Sequence, residues 1–212
     1  FRYVIITNSK KYLNQVYKYK TDNQTKVLYD SWYLSYDEEL IDNKYITPKR
    51  CAEALSRNLQ DKNSEIIDIG CGTGLSGQEI ILKGFINIDG SDFSKKMLDE
   101  AKLKNIYRGL FTLDLNKKNF KFDKSYDAII AAGVISPNHA KPECLKNCLN
   151  HLKPNGIIIF SLNDHALENP GYKQAITDLV DNRNAEVVFE EYGDHLPKIK
   201  LNALIFVLKR LK

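Results

Sequence analysis

From about residue 48 onward, short apolar runs alternate with segments whose apolar positions recur at helical spacing. Strands are predicted at residues 66–69, 85–88, 110–113, 126–132, 157–162, 186–191 and 201–208. Helices are predicted from Pro48 to residue 59 and over residues 78–83, 94–104, 142–152 and 171–182, with a turn at residues 153–156. This alternation favours an α/β domain around a mostly parallel sheet. The short link between the last two strands favours an antiparallel pair.

The remaining residues, 1–47, precede the first core helix and are predicted to form an N-terminal arm and cap helices, which leaves residues 48–212 as the main domain. A length of 212 residues, with 43% hydrophobic and 27% charged residues, suits one globular domain with a small appendage. No apolar run reaches the length of a membrane span, and no signal peptide is recognised. The chain starts at Phe1, so its true N-terminus is left open.

The net charge of +4 is concentrated at the N-terminus. Residues 1–28 carry a charge of +5, and the rest of the chain carries −1. The positive side chains are Arg2, Lys10, Lys11, Lys18, Lys20 and Lys26, interleaved with Tyr3, Tyr12, Tyr17 and Tyr19. Such an arm could contact nucleic acid, but a solvated amphipathic helix is the favoured interpretation. The nearly neutral main domain does not favour a nucleic-acid partner.

Four cysteines, Cys51, Cys71, Cys144 and Cys148, form no CxxC pair. Cys144, Cys148 and His151 would share one face of a predicted helix at a spacing that a metal could use, yet a buried thiol pair is favoured. We therefore predict no metal site. Free thiols without a signal peptide predict a cytoplasmic protein.

The most specific stretch is IIDIGCGTG at residues 66–74. A strand ends near Asp68 and turns through Gly70, Gly72 and Gly74, which brings bare backbone and a carboxylate beside a ligand. The α-ammonium of S-adenosylmethionine (SAM) would suit Asp68, and its carboxylate and sugar could meet the loop amides. A tight turn without a ligand is the alternative.

The same stretch also matches the dinucleotide pattern GxGxxG at residues 72–77, with Asp92 twenty residues after Gly72. Two arguments favour SAM over NAD. Asp68 would repel a diphosphate but pair with an ammonium. The antiparallel C-terminal strand pair also suits a seven-stranded sheet better than a six-stranded parallel one.

The motifs together resemble the class I SAM-dependent methyltransferases of the small-molecule type, over about residues 29–208. The matching stretches are IIDIGCGTG, GSDFSKKML at 90–98, Asp114-Leu115, YDAII at 126–130 and LKPNG at 152–156. Residues 29–37, with Tyr29-Asp30-Ser31-Trp32 and Tyr36-Asp37, are most similar to the branch of methyltransferase-like protein 27. The resemblance implies a Rossmann-like, seven-stranded, mostly parallel sheet with an antiparallel C-terminal strand, helices on both faces and an N-terminal helical cap.

The resemblance also implies cofactor-binding residues. Asp92 would bind the ribose hydroxyls, and it is preferred to Asp89 because it stands in the D-x-S-x-x-M-L pattern. Asp114 would accept a hydrogen bond from the adenine amino group. Tyr36 and Tyr45 are candidates for an aromatic lid. The full set is Tyr36, Tyr45, Asp68, Gly70, Cys71, Gly72, Thr73, Gly74, Asp92, Phe93, Met97, Asp114, Leu115 and Ala132. The cofactor is SAM and its product S-adenosylhomocysteine (SAH).

The acceptor is expected at the carboxyl ends of the fourth and fifth strands, near residues 133–139 and 163–165, with Tyr172 and His195 close by. His139 is the candidate base because imidazole titrates near neutrality, although a surface-loop histidine is the competing interpretation. A small-molecule acceptor is favoured. Methyl transfer to RNA or protein, and SAM or nucleotide binding without methyl transfer, stay open.

Overall fold

The computed structural model describes residues 12–16, 21–137 and 139–211. Its seven strands are β1 (Ile66–Ile69), β2 (Ile88–Asp92), β3 (Leu110–Thr112), β4 (Tyr126–Ala131), β5 (Leu152–Asn163), β6 (Ala185–Leu196) and β7 (Leu201–Arg210). Its helices are α1 (Asp22–Trp32), α2 (Tyr36–Asp42), α3 (Thr47–Asn58), α4 (Leu75–Leu82), α5 (Lys95–Leu103), α6 (Cys144–Asn150), α7 (Asp164–Glu168) and α8 (Pro170–Asp181). Two short 3-10 helices span Tyr12–Asn14 and Pro197–Ile199.

The strands form one sheet in the order β3-β2-β1-β4-β5-β7-β6. All pairs from β3 to β5 are parallel, and β7 is antiparallel to both β5 and β6. The predicted Rossmann-like sheet with an antiparallel C-terminal strand is therefore confirmed. The reversal of order at β1 and β4 opens a crevice beyond the carboxyl ends of these two strands, where sheets of this kind bind ligands.

Helices cover both faces of the sheet, and each face has its own core. One core joins Ile67 and Ile129 to α6 and α8, and the other joins Ile66 and Ile130 to α3 and α4. Successive residues of a strand point to opposite faces, so strands covered on both sides need apolar side chains throughout. This explains why β1 and β4 were recognised with almost the correct bounds.

The second strand was predicted at the wrong place. It spans Ile88–Asp92, not residues 85–88, and Phe85 instead packs into the core beside α3 and α4. Every residue of β2 is buried, including Asp89, Ser91 and Asp92. An apolar run is a poor guide here because the carboxyl half of this strand is polar.

Two further predictions of local structure were wrong. Residues 153–156 do not end an element but form a bulge inside β5, where the pairing moves from Tyr126↔Leu152 to Ala128↔Ile157. Asn155 has a φ of 63° there. The helix α4 begins at Leu75, three residues before the predicted start, directly after the glycine loop.

The helices α1 and α2 lie against the glycine loop and α5 and form a cap. Ser94 Oγ donates to Asp30 Oδ1 at 2.5 Å, and Lys104 Nζ pairs with Asp37 Oδ2 at 2.6 Å. Thr73 also donates to Asp37. A third apolar cluster, around Trp32, packs the cap against the start of β7 and the end of β6. The domain boundary at residue 47 stays a prediction.

Of the basic side chains predicted in the arm, Lys26 lies in α1. Arg2, Lys10, Lys11, Lys18 and Lys20 lie outside the described residues, as do Tyr3, Tyr17 and Tyr19. Within the described part of the chain, none of the helices combines the length and apolar character needed to cross a bilayer.

Candidate active site

The loop between β1 and α4 exposes its backbone to a cavity. Gly70 and Gly72 have φ angles of +64° and +54°, which favour glycine. A Cβ on Gly70 would lie 2.7 Å from Cβ of Val134, whereas one on Gly72 would meet only Cε1 of Tyr36 at 3.9 Å. The space beside Gly72 is therefore open to a ligand.

Asp92 stands at the end of β2 and faces the same cavity. Its two carboxylate oxygens accept backbone N–H groups from Gly72 at 3.0 Å and Ser94 at 2.9 Å. Burial raises the pKa of Asp92 to about 6, although these N–H groups act in the opposite direction. Because each oxygen can accept more than one hydrogen bond, Asp92 keeps capacity for hydroxyl groups of a ligand.

Asp68 lies beneath the glycine loop and is fully buried. Its Oδ2 accepts hydrogen bonds from Ser76 Oγ at 2.5 Å and Tyr107 Oη at 2.7 Å, while Oδ1 has no partner among the described residues. Burial raises the pKa of Asp68 to about 7. Asp68 does not line the cavity, so its predicted pairing with an ammonium stays a prediction.

Asp89, the acid of β2 that was not predicted to bind the ribose, forms contacts within the protein instead. Its Oδ2 pairs with Arg108 at 3.2 Å and Lys124 at 2.8 Å, and it accepts from Tyr126 Oη at 3.1 Å. These contacts hold β2, β4 and the chain before β3 together. Of the two acids of β2, Asp89 therefore stabilises the fold and Asp92 faces the cavity.

The ring of Tyr107 fills the space beneath the glycine loop and explains why position 77 is also a glycine. A Cβ on Gly77 would lie 2.6 Å from Cζ of Tyr107, and one on Gly90 would lie 2.9 Å from its Cδ1. Gly77, the last glycine of the GxGxxG match, is therefore required by a protein side chain. It does not line the cavity.

The first cavity has a volume of about 750 Å³. Its wall consists of Thr25, Tyr29, Tyr36, Gly70, Gly72, Asp92, Phe93, Leu113, Asp114, Leu115, Asn116, Ala132, Gly133, Val134, His139 and Ala140. Nine of these were predicted site residues: Tyr36, Gly70, Gly72, Asp92, Phe93, Asp114, Leu115, Ala132 and His139. The wall contains two carboxylates and, among the described residues that form it, no Lys or Arg.

Six predicted site residues are absent from the described wall of this cavity: Tyr45, Asp68, Cys71, Thr73, Gly74 and Met97. Cys71, Thr73 and Met97 are buried around the loop, and Thr73 is bonded to the cap. Two residues that reach the cavity from α1, Thr25 and Tyr29, were not among the predicted site residues. The YDSW motif was the one available signal for Tyr29.

A second cavity of about 380 Å³ adjoins the first. Tyr29, Tyr36, Gly133 and His139 belong to both walls. The other residues of its wall are Leu13, Val16, Trp32, Leu40, Tyr45, Ser136, Asn163, His195 and Leu196. Tyr45, predicted to cover a cofactor, thus lines the second cavity rather than the first.

His139 is enclosed between the two cavities. Its Nε2 lies 2.6 Å from Oη of Tyr29, and its Nδ1 lies 3.3 Å from the carbonyl oxygen of Pro137. Nδ1 also lies 2.9 Å from Oγ of Ser136, a group that can donate or accept. In the tautomer that carries its proton on Nδ1, the N–H donates to these oxygens and Nε2 accepts from Tyr29. Burial lowers the pKa of His139 to about 4. The structure thus places His139, partly buried, in the walls of both cavities, and its role as the base stays a prediction.

His195 and Tyr172 were both expected near the acceptor. His195 lies in the wall of the second cavity, where its Nδ1 is 2.7 Å from Oγ1 of Thr47, and burial lowers its pKa to about 4. Tyr172 instead packs into the core beside α6, because α8 turns this residue towards the sheet. Its expected position was wrong.

Cys144 and Cys148 are buried on the inner face of α6. His151 follows this helix, and its ring stacks on Phe120 at 5.9 Å. Over residues 12–16, 21–137 and 139–211, no group of three or more His, Cys, Asp or Glu side chains could hold a metal ion.

Comparison with known proteins gives consistent results. A sequence family described as "Methyltransferase domain" matches residues 67–158. Human methyltransferase-like protein 27 is 28% identical over 72% of this chain and 63% of its own length. Alpha N-terminal protein methyltransferase 1 of Dictyostelium discoideum is 30% identical over 68% and 59%, respectively. The chain therefore spans less than two thirds of either relative.

A solved structure has the same fold. Magnesium protoporphyrin IX methyltransferase from Synechocystis PCC 6803, with bound SAH, superposes with a TM-score of 0.62 at 17% identity. The match covers 84% of this chain and 87% of that protein.

Proposed function

Because the chain belongs to the class I SAM-dependent methyltransferases, we propose that it binds SAM in the first cavity and transfers the methyl group to a small molecule. The observation that carries this proposal is the charge of the wall. Asp92 and Asp114 are its ionisable acids, and no described residue in it is a Lys or Arg. A sulfonium cation suits such a wall, whereas the diphosphate of a dinucleotide would find no positive partner.

The residues of the wall fit the parts of SAM. Asp92 would accept hydrogen bonds from ribose hydroxyls, and Asp114 would accept from the adenine amino group. The open backbone at Gly72 would lie beside the sugar or the amino-acid part. Asp68 lies beneath the glycine loop rather than in the wall, and its Oδ1, an acceptor without a partner among the described residues, would suit an ammonium that reached it. Bound SAM supplies an activated methyl group on a good leaving group.

Tyr29 and His139 are proposed to manage the proton of the acceptor. A hydroxyl acceptor must lose its proton when it is methylated. Oη of Tyr29 can take that proton while Tyr29 passes its own to Nε2 of His139, 2.6 Å away. The low pKa of His139 keeps its ring neutral at neutral pH, and Nε2 accepts in the tautomer protonated on Nδ1.

The second cavity supports a small acceptor. It adjoins the first through a shared wall, and its lining is mostly apolar and aromatic with a few polar groups, as is common in small-molecule sites. Enclosure of the acceptor also keeps water away from the reacting groups. Alignment and desolvation together can account for much of the rate of a methyl transfer.

Thermal-shift measurements with SAM, SAH, NAD and NADP test the cofactor. SAM and SAH should raise the melting temperature, and Asp92→Asn should weaken SAH binding by about tenfold or more, since two ribose hydrogen bonds depend on this carboxylate. Asp99→Asn, an exposed acid on α5, is the matched control. Stabilisation by NAD alone would overturn the proposal.

Transfer itself can be followed with methyl-labelled SAM in a cell extract separated by molecular size. Label in the small-molecule fraction is the expected result. Label in RNA or protein would identify a macromolecular acceptor, and SAM binding without any labelled product would identify a binding protein that transfers no methyl group.

A further inference from the structure

We propose that the second cavity binds the methyl acceptor and that this acceptor is an uncharged small molecule built on a ring. The proposal rests on the function proposed above and adds the chemical class of its substrate. Its basis is the wall of the second cavity, which is aromatic and carries no formal charge among the described residues.

The absence of charge is the first argument. The described wall contains no Asp, Glu, Lys or Arg, and its two imidazoles are held neutral at physiological pH because burial lowers both pKa values to about 4. An ionised ligand would lose its hydration without gaining a counterion, which is unfavourable. A neutral ligand carries no such penalty.

Two described charged side chains that adjoin residues of this wall are engaged elsewhere. Arg50, close to His195, donates to the carbonyl oxygens of Asp194 and Ala203 at 2.8 and 3.0 Å. Asp164, next to Asn163, accepts from Tyr192 and from the backbone of Asn202. These contacts hold both charges against β6 and β7 rather than towards the cavity.

Aromatic rings form much of the wall. The rings of Trp32 and Tyr36 meet edge to face at 4.7 Å, and those of Tyr29 and Trp32 stack at 5.7 Å. Leu13, Val16, Leu40 and Leu196 complete the apolar part. Such a wall stabilises a flat apolar body by ring contacts and by the burial of its surface.

One residue of the wall, Trp32, has a hydrogen-bond donor without a partner among the described residues. Trp32 is 1% exposed, and its Nε1 has no hydrogen-bond partner among the described residues. An indole N–H can only donate, so it would need an acceptor atom such as a hydroxyl or carbonyl oxygen. Buried donors without a partner are unusual in proteins and require an explanation. A ligand oxygen that reached Nε1 from the second cavity would provide one.

Trp32 also provides the measurement, because it is the only tryptophan of the chain. In protein labelled with nitrogen-15, a single indole N–H resonance therefore reports on this wall. Three one-ring probes of similar size, 4-methylphenol, benzoate and benzylammonium, are titrated with SAH present. We expect 4-methylphenol to shift the resonance and to bind about tenfold or more tightly than either ion.

Asn163→Asp adds a charge to the wall with little change of shape. The side chain of Asn163 caps α7 by accepting from the N–H of Ala166, and Asp caps a helix equally well. This variant should bind benzylammonium about tenfold more tightly than the wild type and 4-methylphenol less tightly. Asn169→Asp makes the same change at the exposed cap of α8 and should leave all three affinities unchanged.

The proposal is wrong if an ion binds the wild type as tightly as 4-methylphenol, or if no probe moves the Trp32 resonance. The wild-type series decides this even if Asn163→Asp is unstable. SAH binding is read separately by thermal shift, so failure of the proposed function is distinguished from failure of this inference.

Discussion

Oη of Tyr29 lies 2.6 Å from Nε2 of His139, although 110 positions separate the two residues in the chain. The bond joins the cap helix α1 to the segment after β4. Both residues line both cavities, so the contact stands at their junction. A proton leaving an acceptor at that junction would meet this pair first.

Tyr29→Phe removes the hydroxyl and keeps the ring. We expect the turnover number to fall by about tenfold to a hundredfold, because the acceptor proton loses its path. The free energy of unfolding should fall by about 1–2 kcal/mol, since Nε2 of His139 loses its donor. SAH affinity should change little.

Tyr33→Phe is the control, because Tyr33 lies at the end of α1 and outside both cavity walls. Unchanged turnover in Tyr29→Phe would exclude the proton path.

Gly72→Ala adds a methyl group towards open space in the first cavity. The positive φ makes this substitution cost about 1–2 kcal/mol, but the larger effect should be loss of SAH affinity by about tenfold or more. Gly84→Ala is the matched control, because Gly84 also has a positive φ, of +87°, with open space beside it and lies away from both cavities. Calorimetric titration of both variants with SAH separates strain from obstruction. Equal affinities would contradict the proposed site.

Asp68→Asn should change how stability depends on pH in protein without ligand. The pKa of Asp68 is raised on folding to about 7, so its contribution to stability is full in acid and is lost as pH rises towards 7. The variant lacks this loss. Its free energy of unfolding, relative to that of the wild type, should therefore rise by roughly 1.4 kcal/mol per pH unit between about pH 4 and 7. Denaturant unfolding at several pH values measures this, with Asp99→Asn as control. A difference that does not change with pH would show that Asp68 titrates normally.

His139 and His195 should make stability depend on pH in the opposite direction. Their pKa values are lowered on folding to about 4, so the stability they contribute is present above about 6.5 and is lost as pH falls towards 4. Imidazole resonances followed by NMR should therefore show both rings neutral at pH 6. A midpoint near 6.5 for either ring would contradict its enclosure by the protein.

The sequence predicted best what local patterns determine. The bounds of β1 and the alternation of helices and strands follow from apolar periodicity, and the glycine loop follows from its own residues. β2 was misplaced because its buried half is polar, as ligand-facing strand ends often are. The enclosure of His139 depends on Tyr29, which only the folded chain brings near. No local sequence pattern in either segment predicts that contact.

The ring of Tyr107 occupies the volume that side chains at positions 77 and 90 would need. These two glycines therefore leave room for one phenol ring, and positions 77 and 107 should vary together during evolution. A smaller residue at 107 would make room for a side chain at position 77, whereas position 90 would still meet Cδ2 of Leu110 at 2.7 Å, and the loop above would lose its support. Part of a pattern that is usually attributed to ligand recognition is, in this protein, a record of internal packing.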